Sequence, residues 1–355
     1  MSVFSSSRDR TLYAQVMTDA RTVLNSAGTW TSTGVQKVRF NTFTLAAGNP
    51  TNSPTYKTGK RSRLLGLRGR QNGTATLQKP FIPSGAAGTR PDDDPILTAI
   101  FGATGTVVAS TSVTYNLTDT LNFLLMPTYN KTPGASSPTN SYLLGGIPQS
   151  VKFTGGGNFL DMEVQLSGVG VGDSVNFSSY SGTGDAVLLG KGTGATALST
   201  FPAEPSPTTN GNVISGFGSG AGFSIGGSAL AEVRGTAEIT MNLGVEPIAD
   251  ALNDQYVIGF VGGERDISIA NITCVDSDGS VLNSLKVASF SKAAQTIVFV
   301  FGNVAGSIVT ITLANVQVGG ITWQEDGAKL NIQFGQSDAH ATSSTVTDEM
   351  ILAIT

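Results

Sequence analysis

Three stretches of this chain have residue types and spacing that could do chemistry. "GFSIG", Gly222 to Gly226, has the G-x-S-x-G spacing of a hydrolase nucleophile elbow. In such an elbow Ser224 would attack a carbonyl and the downstream His340 would take its proton. That geometry needs a sharp strand-to-helix turn on a mostly parallel sheet, and no βαβ alternation surrounds "GFSIG". "GKGTGA", Gly190 to Ala195, loosely resembles the dinucleotide-binding fingerprint, but its lysine is not followed by the Ser or Thr of a phosphate loop and no helical pattern follows it. "RPDDDPIL" crowds Asp92, Asp93 and Asp94, oxygen donors of the kind that hold hard cations. A helix start accounts for these three more simply. With one histidine, His340, and one cysteine, Cys274, the chain has neither an intrachain disulfide nor a Cys-based zinc site. The expectation is no catalytic residue, no metal and no cofactor.

The elements that hold these stretches read as strands. Among 355 residues, 44 are Gly and only 13% are charged, with Ser, Thr, Val and Ala filling much of the rest. Glycine supplies turns, and Thr and Val suit a pleated surface, so the composition points to an all-β chain with short helices. A net charge of −4 argues against a protein built to grip nucleic acid, which needs a basic surface. The N-terminus lacks the apolar core of a signal peptide and no later run is long enough to span a bilayer, so the chain reads as soluble and made in a cytoplasm.

Alternation of period two marks the strands. "VQKVRFNTFTL" sets Val38 and Phe40 against Lys37, Arg39 and Asn41. "VKFTGGGNFLDMEVQLSGV" is a hairpin pattern whose return arm sets Leu160, Met162, Val164 and Leu166 against Asp161, Glu163 and Gln165. "AEITMNLG" sets Ile239, Met241 and Leu243 against Glu238, Thr240 and Asn242. "AQTIVFVFGNVAGSIVTITLANVQV" is a further hairpin, and "GITWQEDGAKLNIQFGQ" sets Leu330, Ile332 and Phe334 against Lys329, Asn331 and Gln333. "YVIGFVGGERDISIANITCV" reads as two strands around Gly262-Gly263, and "DEMILAIT" as a last one. "RDRTLYAQVMTDARTVL" reads as a turn or two of helix, or an arm.

Two helices are expected. In "DDDPILTAIFG", Asp94 caps the helix, Pro95 takes the first helical position, and Asp92 and Asp93 face its positive end. Ile96, Leu97, Ile100 and Phe101 form the apolar stripe, and Gly102 ends it. In "DSDGSVLNSLKVASF" the apolar side is Val281, Leu282, Leu285 and Phe290.

The order of strands, acid-led helix and hairpins recurs, which divides the chain into residues 1–170, a Gly/Ser/Pro-rich linker or insertion at 171–227, and residues 228–355. "KTGKRSRLLGLRGR" gathers Lys57, Lys60, Arg61, Arg63, Arg68 and Arg70. In an acidic chain these arginines, with Asp92 and Asp93 as acidic counterparts, read as contacts between subunits.

"SGAAGTRPDDDPILTAIFGATGTVVASTSVTYNLT" resembles a stretch of the tail tube proteins of long-tailed bacteriophages. There a small-residue SGTAGT-type loop, a D-x-P-x-L helix and a TSVTY-type strand follow one another. "GIPQSVKFTGGGNFLDMEVQLSGV" is similar to that family's next hairpin, and "GVEPIADALNDQYVIGFVGGERDISI" to a corresponding second-half segment. The resemblance implies tandem tube-type β-sandwich or barrel domains whose hairpins complete a β-barrel between subunits. It implies stacked rings, either trimers of two-domain chains with pseudo-sixfold symmetry or hexamers. The channel would pass genomic DNA without binding it specifically, its lumen lined by Asp161, Glu163, Gln165, Glu238, Thr240, Asn242, Asn331 and Gln333. Tape measure, tail terminator and distal tail proteins would be partners, and the virion tail the destination after synthesis in the host bacterial cytoplasm. A contractile-tail inner tube and a glycan-binding virion surface module are the competing expectations; only Trp30 and Trp323 could supply an indole platform for a sugar.

Overall fold

The computed structural model describes residues 10–17, 35–48, 51–52, 67–68, 72–130, 139–156, 159–173, 214, 222–229, 237–249, 257–270, 272–274, 280–326, 329–334, 338–341 and 348–355. The chain begins with β1 (Arg10–Met17), β2 (Val35–Val38), β3 (Thr42–Gly48), β4 (Thr51–Asn52), β5 (Leu67–Arg68) and β6 (Asn72–Pro80). Helix α1 (Asp94–Phe101) follows, then β7 (Thr106–Val108), β8 (Ser112–Asn116), β9 (Phe123–Asn130), β10 (Thr139–Gly156), β11 (Phe159–Gly168) and β12 (Gly170–Asp173). Next come β13 (Phe223–Ile225), β14 (Ser228–Ala229), β15 (Ala237–Asn242), β16 (Val245–Ala249), β17 (Val257–Gly262), β18 (Asp266–Ala270) and β19 (Ile272–Cys274). The chain closes with α2 (Ser280–Ser291), β20 (Gln295–Phe301), β21 (Val309–Val316), β22 (Ile321–Asp326), β23 (Lys329–Phe334) and β24 (Met350–Ile354).

The all-β expectation holds: among the described residues the fold is mostly sheet with two short helices. Its largest sheet has ten strands and curls into a half barrel. Strand β10 is the hinge of that curl. Its first part pairs with β9 and β12, its second with β11 and β15, and the register slips between Leu143 and Gly146 and again between Pro148 and Ser150. Gly145, at φ 54, turns the corner in a conformation that costs a glycine little. Beyond the corner the strands lie in the order β3-β6-β11-β10-β15-β18.

A second sheet of seven strands runs β14-β13-β20-β21-β24-β8-β7. The two sheets meet through aromatic side chains. Phe81 and Phe153 come from the curled sheet and its loop, and Phe223, Phe299 and Phe301 from the seven-stranded sheet; all are almost fully buried. The Phe301 ring seats on Gly155 of β10, where a Cβ would lie 2.0 Å from Cε1. That close approach requires glycine.

The halves of the chain interleave. Strands β7 and β8 belong to the sheet otherwise built from β13 and later strands, while β15 and β18 extend the sheet otherwise built from β12 and earlier strands. Tyr115 of β8 lies opposite Leu352 of β24. The expected linker at 171–227 is also partly structural. Strand β12 pairs with β10, Ile214 is buried with its carbonyl accepting from the Leu160 N–H, and Phe223 is buried against Phe299. Apolar side chains spaced through a Gly-rich tract were enough to bring parts of it into the core.

The first residues depart from expectation. Arg10–Met17 is neither helix nor free arm but a strand between β2 and β9, with Leu12, Tyr13, Ala14 and Met17 buried. "VQKVRFNTFTL" is two strands broken at residues 39–41, so β2 and β3 pair with different neighbours. The hairpins β10–β11, β20–β21 and β22–β23 form as expected. The strands flanking Gly262-Gly263 also form, although β17 pairs with β16 and β18 with β15.

Helix α1 starts where the acids are, but not by the expected device. Asp93, rather than Asp94, takes the cap position, and its side chain makes no capping bond. The Asp94 carboxylate instead accepts from the Tyr115 hydroxyl at 2.7 Å and ties the helix to β8. Burial, together with that carboxylate, pushes the Tyr115 phenol well above its ordinary range and keeps it a donor. Proline sits in the first turn, and Gly102 closes the helix at φ 77 with its N–H on the Thr98 carbonyl, as expected. The helix packs against β1, β8, β9 and β10. Burying Ile96, Leu97, Ile100 and Phe101 contributes roughly 1.5–3 kcal/mol each. In α2, Leu285 and Ala288 are buried and Leu282 packs partly against the core, but Phe290 is 87% exposed. Leu282, Leu285 and Ala288 share the inward face of the helix, and Phe290 falls outside that face. The side chain of Val281 lies outside the described residues.

Candidate functional site

The residues set apart by alternation converge on one surface. Beyond the β10 corner, each strand turns one face to the core. Leu160, Met162, Val164 and Leu166 of β11, Val151 and Phe153 of β10, and Ile239 and Met241 of β15 are buried. The opposite face is polar, and strand register arranges it in three transverse rows. Ser150 lies opposite both Gln165 and Asn242; Lys152 opposite Glu163 and Thr240; Thr154 opposite Asp161 and Glu238. Six of the eight residues expected in a lumen therefore share one face, three on β11 and three on β15, either side of β10. The rows run on through Thr76 and Gln78 of β6, Thr42 and Thr44 of β3, and Asp266 and Ser268 of β18. Six strands at ordinary spacing make a face about 24 Å wide.

Hydrogen bonds cross the face between neighbouring strands. Thr42 Oγ1 donates to Gln78 Oε1 at 3.2 Å, and Gln78 Nε2 donates to Glu163 Oε2 at 3.0 Å. Lys152 pairs with Glu238, half exposed to solvent. Asp161, Glu163, Glu238 and Asp266 outnumber the one lysine, so the surface is acidic overall. Partial burial pushes the Asp161 carboxyl upward from its usual range. Apart from the Lys152 ammonium, the face consists of hydroxyls, amides and carboxylates, and among the described residues it clusters no nucleophile with a base. Chemically it can hydrate and repel phosphate, and it offers little to hold it.

Asn331 and Gln333 do not join this surface. Both sit on β23, in a separate three-stranded sheet of order β19-β23-β22, opposite Thr273 for Asn331 and Thr322 for Gln333. The alternation of "KLNIQF" is the same as that of β11, but alternation says which residues share a face and not which sheet the strand enters. Conversely, Thr76, Gln78, Asp266 and Ser268 were missed, although "NGTATLQKP" and "DISIA" carry the same period-two signal.

The remaining expected residues fall elsewhere. Arg68 belongs to the small β4–β5 ribbon, while Arg61, Arg63 and Arg70 lie outside the described residues. Asp92 is half-exposed and lies 3.7 Å from Arg39, a contact within the chain. Asp93 is fully buried beside Lys79, so it faces the chain's own interior rather than a neighbouring subunit. "GKGTGA" lies outside the described residues.

Ser224 sits on β13, which turns at Gly226-Gly227 into β14. Strand follows strand here, so the turn lacks the helix that a nucleophile elbow requires. His340 is held by its backbone N–H on the Ala314 carbonyl of β21, with β20 between that strand and β13. The structure does not bring the two together. Among the described residues no group of three or more His, Cys, Asp or Glu could hold a metal ion, and no helix is long and apolar enough to cross a membrane. Trp323 is half-exposed, and Lys286 covers its ring at 4.1 Å from the centroid.

A cavity of about 490 Å³ opens where the halves meet, lined by Thr118, Asp119, Leu121, Arg265, His340 and Glu349 among others. Arg265 is its clamp. It donates to the Thr118 carbonyl at 2.7 Å and to Asp119 Oδ1 at 3.1 Å, with Glu349 Oε1 at 3.5 Å. Arg265→Ala is expected to destabilise the fold by about 1.5–3 kcal/mol, the usual cost of losing hydrogen bonds to charged groups. Chemical denaturation checks this, and Arg265→Lys should recover only part of the loss.

No protein-family model matches the chain, and none of the curated proteins matches it in sequence.

Proposed function

We propose that this chain is a structural virion protein that forms the stacked rings of a phage tail tube, with the six-strand polar face lining the channel. The observation that carries the reading is the convergence of Asp161, Glu163, Gln165, Glu238, Thr240 and Asn242 on one acidic surface of a curled half barrel. A half barrel with one wet face and one packed face needs neighbours to close it, and closure removes the strand edges that would otherwise aggregate. Strand β3 ends one sheet and β7, with Val107 and Val108 exposed, ends the other, with no further strand beside either among the described residues. An acidic lining lets DNA slide where a basic one would hold it.

In this reading the rings are trimers or hexamers of the chain. They stack on one another and meet tape measure, terminator and distal tail proteins along and at the ends of the tube. Negative-stain microscopy of the purified full chain is the direct test. Rings or tubules are expected, and a monomer at every concentration would reject the proposal. The lining has its own prediction. The double variant Asp161→Lys/Glu163→Lys should still assemble, because both side chains leave the core. Its tubes should retain duplex DNA in a way that falls steeply with salt, whereas unmodified tubes should not. Equal retention by both tubes in a filter-binding salt titration would place the channel on another surface.

A further inference from the structure

Among the described residues, the most buried charged pair lies away from the polar face. Lys79 of β6 and Asp93 at the start of α1 bond directly to each other, with both side chains only 1% exposed. Lys79 stands on the core face of its strand between Leu77 and Phe81, opposite Met162 of β11. Three features make this more than an ion pair. Asp93 Oδ2 is buried and has no hydrogen-bond partner, so half of the carboxylate is left unsatisfied. Burial is the largest influence on the Asp93 carboxyl and pushes it upward, toward the protonated form. A second acid, Asp92, sits next to it, half-exposed, and feels the charges of both Arg39 and Lys79.

We propose that Lys79 and Asp93 form an intramolecular isopeptide bond in the folded chain, with Asp92 as the proton relay. Within the apolar pocket the ammonium passes a proton to the carboxylate, leaving a neutral amine facing a neutral carboxylic acid. The amine nitrogen then attacks Asp93 Cγ, the Nζ–Cγ bond forms, and one Cγ–O bond breaks. Of the three protons on the original ammonium, one stays on the amide nitrogen and two leave with the carboxylate oxygen as water. Asp92 takes a proton from the attacking nitrogen and returns it to the departing oxygen. No oxidant, cofactor or second substrate is needed.

The driving force is desolvation. Two opposite charges in a low-dielectric interior carry a large solvation penalty, and the amide that replaces them is neutral. The Lys152–Glu238 pair supplies the contrast. It has the same kind of contact, but water solvates its charges, so condensation is not expected there. The link would close residues 79–93 into a loop and staple β6 to α1.

Intact mass spectrometry of the denatured, purified full chain tests the proposal. The expected mass is lower than the sequence mass by one water, with a branched proteolytic peptide joining Lys79 to Asp93. Lys79→Arg, which keeps a cation but is expected not to condense, should show the full mass. Asp92→Asn should link about a hundredfold more slowly, with the pH dependence of the rate altered, as loss of a general acid–base group predicts. A wild-type chain that keeps its full mass after prolonged incubation overturns the proposal, as does a lost water in Lys79→Arg. Unchanged kinetics in Asp92→Asn would overturn the relay while leaving the bond.

Discussion

Lys79→Met is expected to destabilise the protein by about 3–5 kcal/mol at neutral pH, the usual cost of removing one member of a buried charge pair. The loss comes from Asp93, which would then sit fully buried without its bonded counter-charge and with Oδ2 already unsatisfied. Its pH dependence has a definite sign. Burial already raises the Asp93 carboxyl above its ordinary value, and removing Lys79 deletes the two largest influences that oppose the rise, leaving only the more distant Arg39. The folded variant therefore binds the proton more tightly than the unfolded chain does. Stability should be fullest below the unfolded carboxyl value of about 3.9 and should fall as pH climbs through the folded value.

Denaturant titrations of the variant at about pH 4.5 and about pH 8 read that slope, relative to wild type. The double variant Lys79→Met/Asp93→Leu leaves no buried charge and should recover most of the stability without the pH slope. A single variant as stable as wild type at neutral pH would show that the pair contributes nothing.

Gly155→Ala is expected to cost about 2–3 kcal/mol through overpacking. The added methyl would stand 2.0 Å from Phe301 Cε1, and the ring is itself held between the sheets beside Phe299. Neither can move freely, because Gly155 lies in the β10 ladder opposite Leu160 and Ala237. Phe301→Leu removes the colliding ring edge at its own cost in burial. The two substitutions together should therefore destabilise by less than the sum of the singles, a coupling that a double-mutant cycle measures. Strict additivity would mean that the sheets do not meet at this point.

Period-two alternation was enough to find the strands and their faces, because side-chain direction along a strand is local. It separated Leu160, Met162, Val164 and Leu166 from Asp161, Glu163 and Gln165 before any partner strand was known, and the burial pattern agrees. Pro95 and Gly102 likewise announced the two ends of α1 through backbone chemistry alone. The start of β1 was not legible in this way. "RTLYAQVM" carries no decisive period, and only its position between β2 and β9 makes it a strand.

What the tertiary structure alone decided is which strand lies beside which. Pairing depends on contacts between residues far apart in the chain, and no local pattern encodes them. It placed β15 against β10 and β8 against β24, so both sheets draw strands from both halves. It gathered the acidic face from β11 and β15 while sending Asn331 and Gln333 to another sheet. It also turned Asp93 inward onto Lys79, where the sequence showed only three acids before a helix. Side-chain direction is a property of each strand, but burial and charge pairing belong to the packed whole.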